Sequence, residues 1–457
     1  MRHRIESALK SSQADYTEIR IEQRDATTVA FRGKDLETAS AVVDTGGIVR
    51  CLCQNNGWGV ATFNSLDDLP TRVEQAAQCA RAAHSEQPIE LAAVPAAQER
   101  ITMSLDGGRD FRGISMAEKK ALAEGYNSIV LGFDKIVDTQ TYYGDSFTRL
   151  TFASSDGTFI EEERPMVTVA VGAVARDGDN VQSAHETRSG QRGFDFVQGC
   201  EPLARTAAQR AVDLLNAETV VGGQYPVVID PVLAGVFIHE AFGHLSESDF
   251  VYENPRAKEM MVLGRRFGQD FLTVFDDGSF PGLRGTHRYD DEGTPTRRND
   301  LIKSGILVGR LHSRETAAKM GEPLTGNARA INYRHPPIVR MTNTAIEAGA
   351  ISFEEMIKGI ELGIYACDAY GGQTALENFS FSSGYAYMIR DGQIAEMVKD
   401  VILAGNLFTT LLNIDAIGND FRWINHAGGC GKGGQYPLPV AFGAPHVRIQ
   451  DVVIGGK

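Results

Sequence analysis

The sequence predicts an α+β protein: N-terminal modules of helices and antiparallel strands, then a mainly antiparallel β, barrel-like C-terminal domain. Three observations carry that prediction. Up to residue 216, segments of strand period alternate with amphipathic helical patterns. From residue 222 the chain turns dense in glycine and breaks into short strand-like pieces between turn signals, which suits a barrel or sandwich core. The length, 457 residues, is also long for one hydrophobic core, since domains commonly run to about 100 to 200 residues.

Taken in order, a short helix is expected at Arg4 to Leu9, then strands in YTEIRIEQRD, TTVAFRG and ETASAVVD. GIVRCLCQNNGWGVATFN has the form of a hairpin turning at Asn55-Asn56-Gly57. LDDLPTRVEQAAQCARAAH is helical, with Pro70 near its first turn, where no amide donor is needed. These elements make a first α+β module over 1–85. SEQPIELAAVPAAQER, rich in Pro and Ala and without period, makes a linker over 86–100. A second module over 101–216 has a helix in SMAEKKALAEGYN, strands joined through SSDGT and RDGDN turns, and a helix in EPLARTAAQRAVDLLNA. The third region, 222–457, reads as mostly β apart from the helix entering FIHEAFGH and a second in SFEEMIKGIELG.

The bulk composition excludes several classes. A net charge of −14 argues against a nucleic-acid surface, because phosphate binding needs a basic stripe. No apolar run reaches the roughly 18 residues of a membrane span. The first residues, MRHRIESALKSSQADY, carry no apolar core of a secretory signal. Six cysteines without a paired framework fit a reducing, cytoplasmic location. Cys51 and Cys53, two apart on an expected strand, should share a buried face.

The chemistry centres on VFIHEAFGHLSE, residues 236–247. A zinc protease needs two neutral imidazoles, an open coordination position and a carboxylate beside it. His239, Glu240 and His244 supply those types, but the histidines stand five apart rather than four. On an α-helix, residues four apart are rotated by about 40° and residues five apart by about 140°. The two rings can share an ion only if the helix bulges or ends between them, and Gly243 is the residue expected to permit this. A third ligand is needed. Glu247, three residues after His244, is one candidate; Cys430, in the glycine-rich NHAGGCGKGGQ, is the other. His426 lies near Cys430, without a defined role.

Several blocks in order resemble the TldD/PmbA family of metallopeptidases, in particular its catalytic TldD-type members. They are HEAFGHLSESDF, DDGSFPGLRGTHRYDDEGTPT, HPPIVRMTNT, GGQTALENFSFSSGYAYMI and CGKGGQYPLPVAFGAPHVRI. The resemblance implies one zinc per chain on His239, His244 and Cys430, with Glu240 as catalytic base and Glu247 behind the ligands. It also implies a homodimer, or a heterodimer with a TldE/PmbA-like subunit, enclosing a chamber in which an unfolded peptide lies extended against a strand. Tyr333, Arg334, His335, Arg340 and Asn343, close together in one block, are the expected donors to a developing oxyanion. HLSESDFVYENPRAKEMMVLG departs from the family's most studied branch, which leaves substrate preference open. GGQTALE lacks the lysine and context of a phosphate loop. DDGSF and DDEG complete no calcium loop and read as turns, and His287 and His312 fall in no recognisable pattern.

Overall fold

In the computed structural model, which describes residues 1–54 and 56–456, the chain has the expected mixed α+β architecture. The hairpin expected after Cys53 is present. The strand Asp35–Cys53 pairs with Gly57–Phe63, although Asn55 lies outside the described residues. The first two expected strands are one, Tyr16–Arg32. It pairs on one side with Asp35–Cys53 and on the other with Ile136–Ser154, which is followed in the sheet by Phe159–Asp177. The two N-terminal stretches therefore contribute to a single seven-stranded sheet.

Helices cover this sheet, one of them through a small-residue face. Glu201–Asn216 buries Ala204, Ala207, Ala208, Ala211, Leu214 and Leu215, a helical stripe whose short side chains allow close approach to the strands. Met116–Leu131 starts at Ser115, whose hydroxyl accepts the Glu118 amide. Leu69–Ala82 packs over the first hairpin, where Cys51 and Cys53 are both buried, as their spacing predicts.

Beyond residue 222 five strands close on themselves. Gly223–Ile229 pairs with Val447–Gly455, which pairs with Ile402–Asn406; then come Asn378–Arg390 and Leu362–Ala375, which returns to Gly223–Ile229. Most of these pairings are antiparallel, but the closing one is parallel. A six-stranded sheet stands beside this barrel, with Val274–Asp277 and Asn343–Ile346 at its centre. The region is less purely β than its sequence reads: short helices occupy Ser248–Glu253, Pro255–Met260, Arg314–Met320 and Leu407–Leu412. Among the described residues, no helix is long and apolar enough to cross a membrane.

DDEG is a turn, but a buried one. Asp290, Asp291 and Glu292 are each less than 5% exposed. Asp291 faces Arg20 at 3.4 Å and Arg164 at 3.1 Å, and Glu292 faces Arg50 at 3.2 Å. This loop thus joins the C-terminal domain to three strands of the N-terminal sheet.

Candidate metal centre

The helix Pro231–Ile238 is capped by Asp230, whose carboxylate accepts the Leu233 amide at 2.8 Å. It is apolar all round and buried except along the half-buried stripe of Val232 and Val236. Phe237 packs edge-on against Phe379 and Phe381, and a Cβ on Gly235 would meet the Phe442 ring at 2.5 Å. Past Ile238 the backbone widens. Residues His239–Gly243 form a π-helical turn, in which the His244 amide donates to the His239 carbonyl five residues back. Such a turn holds about one residue more than an α turn, so residues five apart come to stand one above the other. The two imidazoles lie on one side, their centroids 5.4 Å apart.

Gly243 serves this turn by its lack of volume rather than by its backbone freedom. Its φ and ψ, −57° and −50°, are ordinary helical values. A Cβ there would lie 2.0 Å from Sδ of the buried Met341. Gly243→Ala is therefore expected to destabilise the fold by about 1–3 kcal/mol, read as a lowered denaturation midpoint; an unchanged midpoint would mean that Met341 yields freely.

Cys430 opens the strand Cys430–Lys432, which turns back through Gly433 and Gly434 onto Gln435–Leu438. Both glycines have positive φ, 57° and 75°, which side chains disfavour. The buried Arg340 braces this ribbon, donating to the Cys430 carbonyl at 2.7 Å and the Gln435 carbonyl at 3.2 Å. Cys430 Sγ lies 3.2 Å from His244 Nε2, and the ligating atoms of His239, His244 and Cys430 all fall within 4.8 Å of one another.

Glu247, buried, meets His244 Nδ1 at 3.0 Å and so turns Nε2 toward the thiol. Lys432 Nζ reaches Glu247 at 3.0 Å, and also donates to Asp249 at 2.6 Å. Burial alone would raise the Glu247 carboxyl, but His244 and Lys432 bring it down to about 2. Burial likewise raises the Cys430 thiol, yet the two imidazoles lower it to about 4. Burial lowers both histidines; the thiolate, with Glu247 for His244, more than offsets that and raises them.

The donors fit a zinc-class ion. His239 Nδ1 is buried and has no hydrogen-bond partner among the described residues, an arrangement seldom left unfilled. A thiolate with two imidazoles on three corners is also a donor set of that ion. Because Glu247 fixes the His244 ring through its second nitrogen, Glu247→Gln is expected to weaken any metal binding by this ring about 10- to 100-fold. Competition against a chromophoric chelator would measure this, and unchanged affinity would reduce Glu247 to a structural ion pair.

The other expected site residues are dispersed. Tyr333 Oη donates to Asp44 at 3.0 Å and accepts from Asn64; Arg334 also pairs with Asp44. His335 Nδ1 meets Asn332, and its carbonyl accepts from Arg20. Asn343 accepts the Gly285 amide and donates to the Asp277 carbonyl. Of that block, only Arg340 makes a hydrogen bond to a residue of the candidate centre among the described residues, through the backbone of Cys430. His287 bonds the Gly285 carbonyl and His312 bonds Glu322. No local pattern marks Lys432 as a partner of Glu247, since 185 residues separate them.

Family models match nearly the whole chain: PmbA/TldA metallopeptidase domain 1 over 17–85, the central domain over 109–215 and the C-terminal domain over 222–456. A protein of Synechocystis sp. named a metalloprotease is 49% identical over 446 residues, covering 97% of this chain and 96% of its own. A zinc metalloprotease TldD homolog of Saccharolobus solfataricus is 28% identical, with 97% of each chain covered. The crystal structure of TldE from Thermococcus kodakarensis superposes with a TM-score of 0.80 at 19% identity, covering 99% of this chain and 100% of its own, which shows a shared fold. With a barrel-bearing C-terminal domain, a π turn that stacks its two histidines and matches across all three domains, this chain belongs to the PmbA/TldD family of metallopeptidases.

Proposed function

We propose that this protein is a zinc-dependent metallopeptidase that cleaves unfolded or extended peptides, with His239, His244 and Cys430 as ligands and Glu240 as general base. The observation that carries this reading is the convergence of two imidazoles and a thiolate beside a carboxylate that solvent can reach. Zinc held there would supply Lewis acidity and an activated water. Glu240 is 32% exposed in its side chain and lies 3.7 Å from His244 Nε2, so it stands at the open side of the three donors. From there its carboxylate can take a proton from the nucleophile and return it to the leaving amine. A thiolate ligand donates more charge than an imidazole, which places more of the burden on Glu240.

Two features support an extended substrate. The ribbon Cys430–Lys432 with Gln435–Leu438 pairs only with itself among the described residues, leaving strand edges to which a peptide can add. A cavity of 600 Å³ opens between the N-terminal sheet and this ribbon, lined by Tyr142, Gln191, Arg284, Ala427, Pro437 and Leu438. A second subunit, either another copy or a TldE-like chain, would enclose the site, and this reading places the protein in the cytoplasm. The test is incubation with an unstructured peptide mixture, followed by mass spectrometry. Cleavage that a chelator removes and Zn2+ restores is expected. No cleavage with one zinc bound per chain would point to a required partner subunit; no cleavage and no zinc would sink the assignment.

A further inference from the structure

We infer that His185, Asp368 and His426 form a second divalent transition-metal site, separate from the thiolate centre. The ligating atoms of the three side chains all lie within 4.8 Å of one another. They come from three distant segments: His185 from the strand Asn180–Gly190, Asp368 from Leu362–Ala375, and His426 from the loop leading to Cys430. The imidazoles meet edge to face, centroids 5.3 Å apart, and neither ring makes a hydrogen bond among the described residues.

Asp368 is held in place with care. It has φ 57°, uncommon for a non-glycine residue, beside a bulge between Ala369 and Gly371. The Asp230 carboxylate accepts its amide at 3.1 Å. Opposite it stands Gly384, where a Cβ would come within 2.9 Å of the Asp368 Cβ. The glycine thus leaves the space that the carboxylate occupies.

The surroundings favour a cation. The site opens into a 360 Å³ cavity lined also by Glu186, Asp230, Arg210 and Arg422. Three carboxylates face two guanidinium groups across it, and a third, Arg284, donates to the His426 carbonyl. Arg210, 3.6 Å from Asp368, is closer to Glu186 at 2.8 Å, and Arg422 stands 4.0 Å from Asp230. Two imidazoles and one carboxylate, with room for water on the open side, suit a borderline ion such as Zn2+ or Co2+. Bound there, the ion would tie the strand Asn180–Gly190 of the N-terminal sheet to the barrel and fix the loop four residues before Cys430.

Co2+ separates the two sites, because only the thiolate centre gives sulfur-to-metal charge-transfer absorption. The metal-free full chain, titrated with Co2+, is expected to take up two equivalents. His239→Ala/Cys430→Ser should retain one, without the charge-transfer band. His185→Ala/His426→Ala should also retain one, with the band intact. Asp368→Asn, the milder change, should weaken the band-free site at least 10-fold. The proposal is overturned if folded His239→Ala/Cys430→Ser binds no Co2+, or if neither His185→Ala/His426→Ala nor Asp368→Asn alters the uptake of the wild type. Failure of the thiolate centre alone would instead remove the band and leave the second equivalent.

Discussion

Replacing Glu240 by Gln is expected to lower peptide cleavage by about 10²- to 10⁴-fold, the range over which a positioned general base acts. Metal content should not change, because the three converging donors are His239, His244 and Cys430, and Glu240 is not among them. Gln keeps the length and hydrogen-bonding shape of Glu, so the π turn and the 5.4 Å spacing of the rings should survive. Turnover and zinc per chain, measured on the same preparation, distinguish the outcomes. Lost turnover with full zinc supports proton transfer at this carboxylate. Lost zinc would mean that Glu240 helps hold the ion, and retained turnover would remove it from the chemistry.

Asp291→Asn should cost about 3–5 kcal/mol, the penalty for stripping one partner from a buried charge network. Asp291 sits between Arg20 and Arg164 and also accepts the Ala330 amide at 2.8 Å. Removing its charge leaves Arg20 with Glu22 alone and Arg164 with Glu162 alone, one carboxylate short at the seam between the N-terminal sheet and the C-terminal domain. Burial raises the Asp291 carboxyl, but Arg20 and Arg164 outweigh that and hold it at about 2, below its ordinary 3.8. A depressed carboxyl contributes its stability in full above the ordinary value and loses it as pH falls through the lowered one. Wild-type stability should therefore slope downward between about pH 4 and pH 2, and the Asn variant should lack that part of the slope. Denaturant midpoints of both proteins across that window test the pair of expectations; an Asn variant as stable as wild type would show that the network contributes no net stability.

How much of the molecule is legible before folding depends on how far apart the interacting residues lie. The alanine-striped helix Glu201–Asn216 declares itself, because helical period repeats over many residues, whereas Tyr16–Arg32, buried continuously along its first seven residues, reads as two strands. Helices of one or two turns, such as Ser248–Glu253 and Arg314–Met320, hold too few residues for a period to show, so the glycine-rich region reads as more β than it is. The widened turn after Ile238 could be inferred because five-residue spacing and helical geometry are both local. The reason for Gly243 could not, since it rests on Met341, nearly a hundred residues away.

By itself, then, the sequence determined the α+β class, the barrel-like C-terminal region and the family, and it singled out a histidine pair that needs a distorted helix. Tertiary structure alone decided the rest. It set Lys432 behind Glu247, braced Cys430 with Arg340, buried DDEG among three arginines and gathered His185, Asp368 and His426. It also turned Tyr333 and Arg334 toward Asp44. The physical reason is the same in each case: period and turn chemistry act within a few residues, whereas these contacts depend on strand register and on how the sheets and barrel meet, which no short window encodes.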